Sequence, residues 1–292
     1  MEHRDSRNHE GLERAVDQAI LGKEGDLFTF LTRGSGLPGP RANLTLATEF
    51  GRVCAVRGKA ADRLLASMVE LDADAAPGAT ALEFLPVCGV YGVGARGALD
   101  AAARKSSLRV LHDAAEDLRF RVRDAVPEAL CRIGAVVGEP LVQDVGPWMD
   151  GFFQASVVLF ALADMRWLSQ LHLPDGPIEL VSRAFLLVKD AERSVMRYPG
   201  YKSLVDALKL APAALAGRFG VPVFDLLVSW CSVKEPVLRE IVEANVKGTK
   251  LGSRYASEVA RVRAALEASA PTRRDPTTYV GPTRGRGRKR AR

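Results

Sequence analysis

The sequence predicts an all-α protein. Alanine and leucine abound, while aromatic residues make up only 7% of the 292 residues, a mix that favours helices over sheets. Apolar residues recur at the three- and four-residue steps of a helix face, in segments divided by short breaks rich in Gly, Pro and Asp. Almost nothing alternates at a period of two between turn residues, so a sheet is hard to place.

Taken in order, the stripes place helices at 11–21, 25–33, 43–56, 60–71, 79–91, 97–114, 120–137, 139–146, 151–163, 177–189, 201–216, 221–231, 236–247 and 253–268. Residues 1–10 are polar and expected to fray. GSGLPGPRANL, 34–44, has Gly or Pro at five of its first seven positions and reads as a connector. Pro40 suits the first turn of the helix that follows, since its missing N–H would be an orphan there anyway. A Gly-rich approach to a helix N-terminus with Arg41 beside it could also hold an anion.

GVGARG, 92–97, fits GxGxxG and follows the apolar run FLPVCGVY, with Asp113 lying 21 residues after Gly92. On paper this is a dinucleotide-binding fingerprint. Three observations oppose it. LRVL, 108–111, suits a helix rather than a second strand, no further βαβ unit follows, and Pro86 sits where a central strand needs its N–H. Close helix packing at small residues is expected instead.

DLRFRVRDAVPEALCRIG, 117–134, sets Arg119, Arg121 and Arg123 at alternate positions, as a basic strand would. The apolar residues Val122, Ala125, Val126, Ala129, Leu130, Ile133, Val136 and Val137 instead form one helix face. Pro127 removes one backbone bond and clashes with the preceding turn, so a kink there, or a helix that begins near it, is expected. Farther on, 155–163 is apolar but only nine residues long, and reads as a buried helix rather than a membrane span.

Asp117, then Val122–Arg123, Ala125, Ala129–Leu130 and Ile133–Gly134, resembles the core of a HEAT repeat. The resemblance implies that Asp117 sits in the turn between two antiparallel helices, with 98–115 as the first. It implies that Arg123 stacks in register with counterparts in neighbouring repeats, which leaves Arg119 and Arg121 free to face solvent or a ligand. A looser match covers 223–251, where Leu238–Arg239 stands for Val122–Arg123 and Val233 replaces the turn Asp; 141–163 resembles a third, degenerate unit. The arrangement is also similar to a group of bacterial HEAT-repeat proteins with a Trp-containing unit and a final LRxIVxxNxKxxxL helix. These motifs cover about 80 residues, and continuity extends the expected α-solenoid of stacked helical pairs over 11–268. One pair cannot bury its apolar face alone, so several must stack, and the curved surface that results binds partners. The resemblance implies a non-catalytic scaffold for a protein partner.

Recognisable catalytic constellations are few. Cys54, Cys88, Cys131 and Cys231 lie far apart among apolar neighbours and read as reduced core thiols in a cytoplasmic protein. His3, His9, His112 and His172 form no paired ligand spacing, so no metal and no cofactor is expected. Nothing at the N-terminus reads as a signal peptide, and no run is long enough to span a membrane. Trp148 near Asp150, with Trp167 and Trp230, raises one enzymatic alternative, the HEAT-like alkylpurine DNA glycosylases. Their motif does not align residue by residue, and core or groove-lining tryptophans are the plainer expectation.

The formal net charge is +6, and its distribution is uneven. Residues 269–292 carry Arg273, Arg274, Arg284, Arg286, Arg288, Lys289, Arg290 and Arg292 against one acid, Asp275, a balance of +7 that leaves the body at −1. Such a segment, with few apolar residues, is expected to be disordered and to meet nucleic-acid phosphates without regard to sequence; an inert tail on a protein-only adaptor is the alternative. Lys247, Lys250 and Arg254 add a small basic cluster near its root.

Overall fold

The computed structural model describes residues 2–270, with side-chain environments for 9–248 and 251–270. The described residues are all-helical, with no strand among them. The α-helices run α1 Glu2–Ile20, α2 Gly25–Gly34, α3 Leu44–Arg57, α4 Asp62–Val69, α5 Phe84–Leu99, α6 Ala101–Ala114, α7 Phe120–Val137, α8 Pro140–Asp144 and α9 Phe152–Leu162. They continue as α10 Met165–Leu168, α11 Asp175–Lys189, α12 Pro199–Leu208, α13 Ala211–Phe219, α14 Val221–Trp230, α15 Pro236–Asn245, α16 Thr249–Arg254 and α17 Ala256–Ala268. Helix α1 thus begins at Glu2, well ahead of residue 11. The proposed tail, 269–292, lies outside the described residues beyond Ala270.

Helix α5 occupies the centre of the N-terminal half. Every residue from Phe84 to Ala98 is buried, which a helix achieves only when neighbours cover it on all sides. Helices α3, α4, α6 and α7 do so. GVGARG lies within this helix, and its glycines are contact points. A Cβ on Gly92 would stand 2.2 Å from the Leu65 side chain, and one on Gly94 would stand 2.7 Å from the Ala129 backbone of α7. Gly51 of α3 meets the Tyr91 carbonyl in the same way, at 2.8 Å. The expected packing role holds, and no strand precedes these glycines.

Helices α3, α5, α7, α9 and α12 pack each against the next, and α11, α13, α14, α15 and α17 continue the contacts toward the C-terminus. One hydrophobic cluster runs through all of them, from Leu12 to Leu266. Helix α7 packs most extensively on α5 and only lightly on α6, the partner that the repeat resemblance pairs with it. The small residues Gly94 and Ala129 let α5 and α7 approach closely, which explains that preference.

Several boundaries differ from expectation for identifiable reasons. The stripe read as one helix over 97–114 breaks at Asp100, whose backbone is extended and whose Oδ1 accepts from the N–H groups of Ala102 (2.9 Å) and Ala103 (3.3 Å). The helix read over 201–216 divides before Ala211, with Pro212 in the first turn of α13. After the connector 34–44, α3 is opened by Asn43, not Pro40. Asn43 Oδ1 accepts from Leu46 N at 3.1 Å, and its amide donates to the Gly34 carbonyl at 2.9 Å. Helix α7 starts at Phe120 and continues through Pro127, so it does not begin at the proline.

Gly94→Ala should destabilise the protein by about 1–3 kcal/mol, because the new methyl must displace helix backbone. Gly217→Ala, in α13 with nothing within 4 Å of the added Cβ, should be neutral or stabilising by up to about 1 kcal/mol. Urea unfolding of both variants at 25 °C checks the contrast.

Candidate functional site

The arginines at the start of α7 were expected to divide into one stacking residue, Arg123, and two free to face solvent or a ligand. The structure reverses part of that. Arg119 is only 6% exposed. Its Nη1 donates to the carbonyls of Asp72 (3.0 Å) and Ala76 (2.9 Å), and its Nη2 donates to the carbonyl of Leu71 (2.6 Å). Its Nε (2.8 Å) and Nη2 (2.6 Å) also donate to the two carboxylate oxygens of Asp117. All five guanidinium donors are therefore used. Arg119 clamps the 71–76 loop to the α6–α7 turn and has no donor left for a ligand.

Arg121 is paired within the fold as well. Its Nη1 donates to Glu83 Oε2 at 2.9 Å, and its guanidinium lies 4.5 Å from the centre of the Phe120 ring. Glu83 is buried and also accepts from the N–H of Ala79, whose φ of 60° is left-handed. Arg123 donates to the Asp117 carbonyl and lies 4.6 Å over the Phe153 ring of α9. Asp117 and Arg123 thus share one turn, and Arg123 ties that turn to the next helix in the row.

The same economy recurs between other helices. Arg96 of α5 is 4% exposed and donates to Asp62 (2.7 Å) and Asp100 (3.1 Å). Arg166 of α10 donates to both carboxylate oxygens of Glu128 on α7, at 2.9 and 2.7 Å, and to both of Asp164, at 3.0 and 2.8 Å. Hydrogen bonds from Arg166 hold the Asp164 carboxyl at about 2. Burial works to raise Glu128, but Arg166 and Arg132 together keep it below the usual carboxylate range. These pairs fix helix positions and leave little charge for a partner.

A groove of about 850 Å³ lies between α1, α2 and α3. Leu12, Phe30 and Leu46 give it apolar walls, and Asp26, Arg33, His9 and Glu49 supply charge. His9 Nδ1 meets Glu49 Oε1 at 2.6 Å, while Nε2 faces Arg52 Nη2 at 3.1 Å and Glu13 at 3.5 Å. The Arg52 hydrogen bonds hold the Glu49 carboxyl below its usual value. No hydroxyl or thiol among the described residues hydrogen-bonds His9, so the pair resembles a charge-satisfied rim more than a nucleophile–base relay. The groove joins three helices far apart in role but close in sequence, and no local motif announces it.

Other residues singled out by the sequence are more scattered. Lys247 and Arg254 are exposed near α16, and Arg254 donates to the Gly217 carbonyl at 3.1 Å and lies 5.1 Å over the Tyr255 ring. The Lys250 side chain lies outside the described environments. So do the tail cations Arg273, Arg274, Arg284, Arg286, Arg288, Lys289, Arg290 and Arg292. Trp148 is buried edge-on to His112, Trp167 is fully buried and donates to the Gly138 carbonyl at 3.2 Å, and Trp230 stacks on Phe185 at 4.8 Å. All three thus pack on other side chains. The four cysteines are free and buried, and burial pushes the Cys54 and Cys131 thiols up to about 12. No group of three His, Cys, Asp or Glu among the described residues is placed to hold a metal ion, and no helix among them is long and apolar enough to cross a membrane. No family model matches the chain, and no curated protein matches it significantly.

Removing the Arg119 clamp leaves a carboxylate and three loop carbonyls without their donors. Arg119→Ala should therefore destabilise by about 3–5 kcal/mol, and Arg119→Lys should recover only part of the loss, since an ammonium has three donors instead of five. Chemical denaturation measures both. A second expectation concerns acid. Because the folded Asp164 carboxyl sits at about 2 instead of 3.8, its contribution is present above the unfolded value and is lost as pH falls from near 4 toward 2. Asp164→Asn should flatten the stability profile in that window, as read from thermal unfolding across pH.

Proposed function

We propose that the protein is a non-catalytic helical-repeat binding scaffold, and that its basic C-terminal segment adds sequence-blind affinity for nucleic acid. The observation that carries the scaffold reading is the row α3–α5–α7–α9–α12, in which each helix packs on the next around one continuous core. An α-solenoid of HEAT-like pairs is the architecture this favours. Arg123 supports it by linking the α6–α7 turn to Phe153 of the following unit. Stacked units of this kind present an extended surface to a partner protein. The ion pairs between helices suit that role, because they hold the surface rigid while withdrawing charge from it.

The tail reading rests on composition. Eight cations against one acid in 271–292 give +7, on a body of −1. Each phosphate such a segment neutralises releases a counterion, so affinity falls steeply with salt.

Gel-shift titration of the full chain and of residues 1–270 on DNA and RNA at two salt levels tests the proposal. The hydrophobic cluster ends at Leu266, so the truncation leaves it intact. The full chain should bind at low salt at least tenfold more tightly than 1–270, with a log–log salt slope steeper by about 0.7–0.9 per lost phosphate contact. Equal binding by the full chain and by 1–270 would remove the tail from the mechanism. Release of 7-methylguanine from alkylated DNA would replace the scaffold with a glycosylase.

A further inference from the structure

Many interhelical arginines are spent on carboxylates and carbonyls, but a run of cations around the α11–α12 connection keeps its charge. Residues 183–202 carry Arg183, Lys189, Arg193, Arg197 and Lys202 against Asp190 and Glu192, a balance of +3 on a body that is −1 overall. None of the five cationic groups makes a hydrogen bond or ion pair with another described residue. The segment leaves α11, passes through a 3-10 turn at Val195–Arg197 and enters α12.

Aromatic rings fasten it to α9. Tyr198 packs edge-on against Phe153 at 5.3 Å and Phe152 at 6.4 Å, and Tyr201 packs on Phe152 at 5.7 Å. Tyr198 nevertheless remains 42% exposed. Beside it, a cleft of about 350 Å³ opens between α9 and α11. Its walls are Met149, Phe152, Leu186 and Leu187, with Arg183 and Asp190 also lining it. That volume is at the small end for ligand pockets and suits one planar ring system rather than a helix.

We propose that this face of the body binds single-stranded nucleic acid. The phosphates lie along Arg193, Arg197 and Lys202, while one unpaired base enters the cleft against Phe152, where Asp190 accepts from an N–H on the edge of the base. Tyr198 supplies a stacking surface for the neighbouring base. The combination of unpaired cations with an exposed aromatic ring and an apolar slot distinguishes this occupant from an acidic peptide, which needs the cations alone. The inference rests on the nucleic-acid reading above and adds a contact within the folded body.

Two measurements on the full chain test it. In fluorescence anisotropy with a U20 oligonucleotide, Tyr198→Ala should weaken binding about fivefold or more, and Tyr198→Phe should not. The double variant Arg193→Ala/Arg197→Ala, altered only at exposed positions, should lower the log–log salt slope by about 1.4. Photo-crosslinking of a 4-thiouridine U20, with peptides mapped by mass spectrometry, should label 183–202. Labelling confined to 271–292, with both variants binding as the parent does, overturns the body site and leaves the tail reading standing. Labelling confined to 183–202 keeps the body site and removes the tail. Competition by polyglutamate as effective as by U20, or equal affinity for a duplex, overturns the assignment to single strands.

Discussion

Burial of α5 on all sides is the constraint on which the N-terminal half depends. A helix with no polar face must be covered completely, and four helices converge on it to do so. Their approach is set by small residues. Gly94 admits the α7 backbone at Ala129, and Gly51 of α3 admits the Tyr91 carbonyl. Once α3, α5 and α7 are held this closely, side chains on their outer surfaces meet across the helices. Arg132 of α7, for example, reaches Thr48 of α3 at 3.3 Å and overlies Tyr91 of α5. The polar network is thus a consequence of apolar packing.

That order explains why charge is distributed as it is. Arg96, Arg119 and Arg166 each join segments that packing has already brought together, and each is held there by carboxylates or carbonyls. A buried guanidinium is tolerated only when its donors are met, because removing one partner leaves an uncompensated charge in a poorly solvated place. Charge that is to serve a partner must therefore sit away from the packed row. The exposed side chains of Lys189, Arg193, Arg197 and Lys202 meet that condition among the described residues.

Much of the helical pattern was legible in the sequence, because a periodic apolar stripe is a local signal. The reading failed where a boundary depended on a polar side chain within an unbroken stripe. Asp100 divides a run that Leu99, Ala102, Leu108 and Leu111 make look continuous, and the cap that identifies it is a single carboxylate. Asn43 likewise outranks Pro40, since it both caps α3 and closes the connector onto Gly34. GVGARG was separable from a nucleotide loop because its neighbours suited helices and Pro86 opposed a strand. The groove between α1 and α3 was not legible, since a concavity is a property of how helices sit and not of any one of them.

Arg119 shows most clearly why spacing and role can part company. Its place in the alternation, two residues before Arg121, suggested a group free to face solvent or a ligand. The helix, however, begins at Phe120, so Arg119 belongs to the extended residue before it, with φ −82° and ψ 117°. From there its side chain runs back under the turn instead of out along the helix face. Its three carbonyl partners lie 43 to 48 residues earlier in the chain, in a loop with no apolar stripe to fix its position. Loop carbonyls in such a place need donors, and a guanidinium is the side chain that can satisfy three and still bind a carboxylate. A basic patch in sequence is therefore evidence for an anionic ligand only where the fold leaves the patch without backbone to hold.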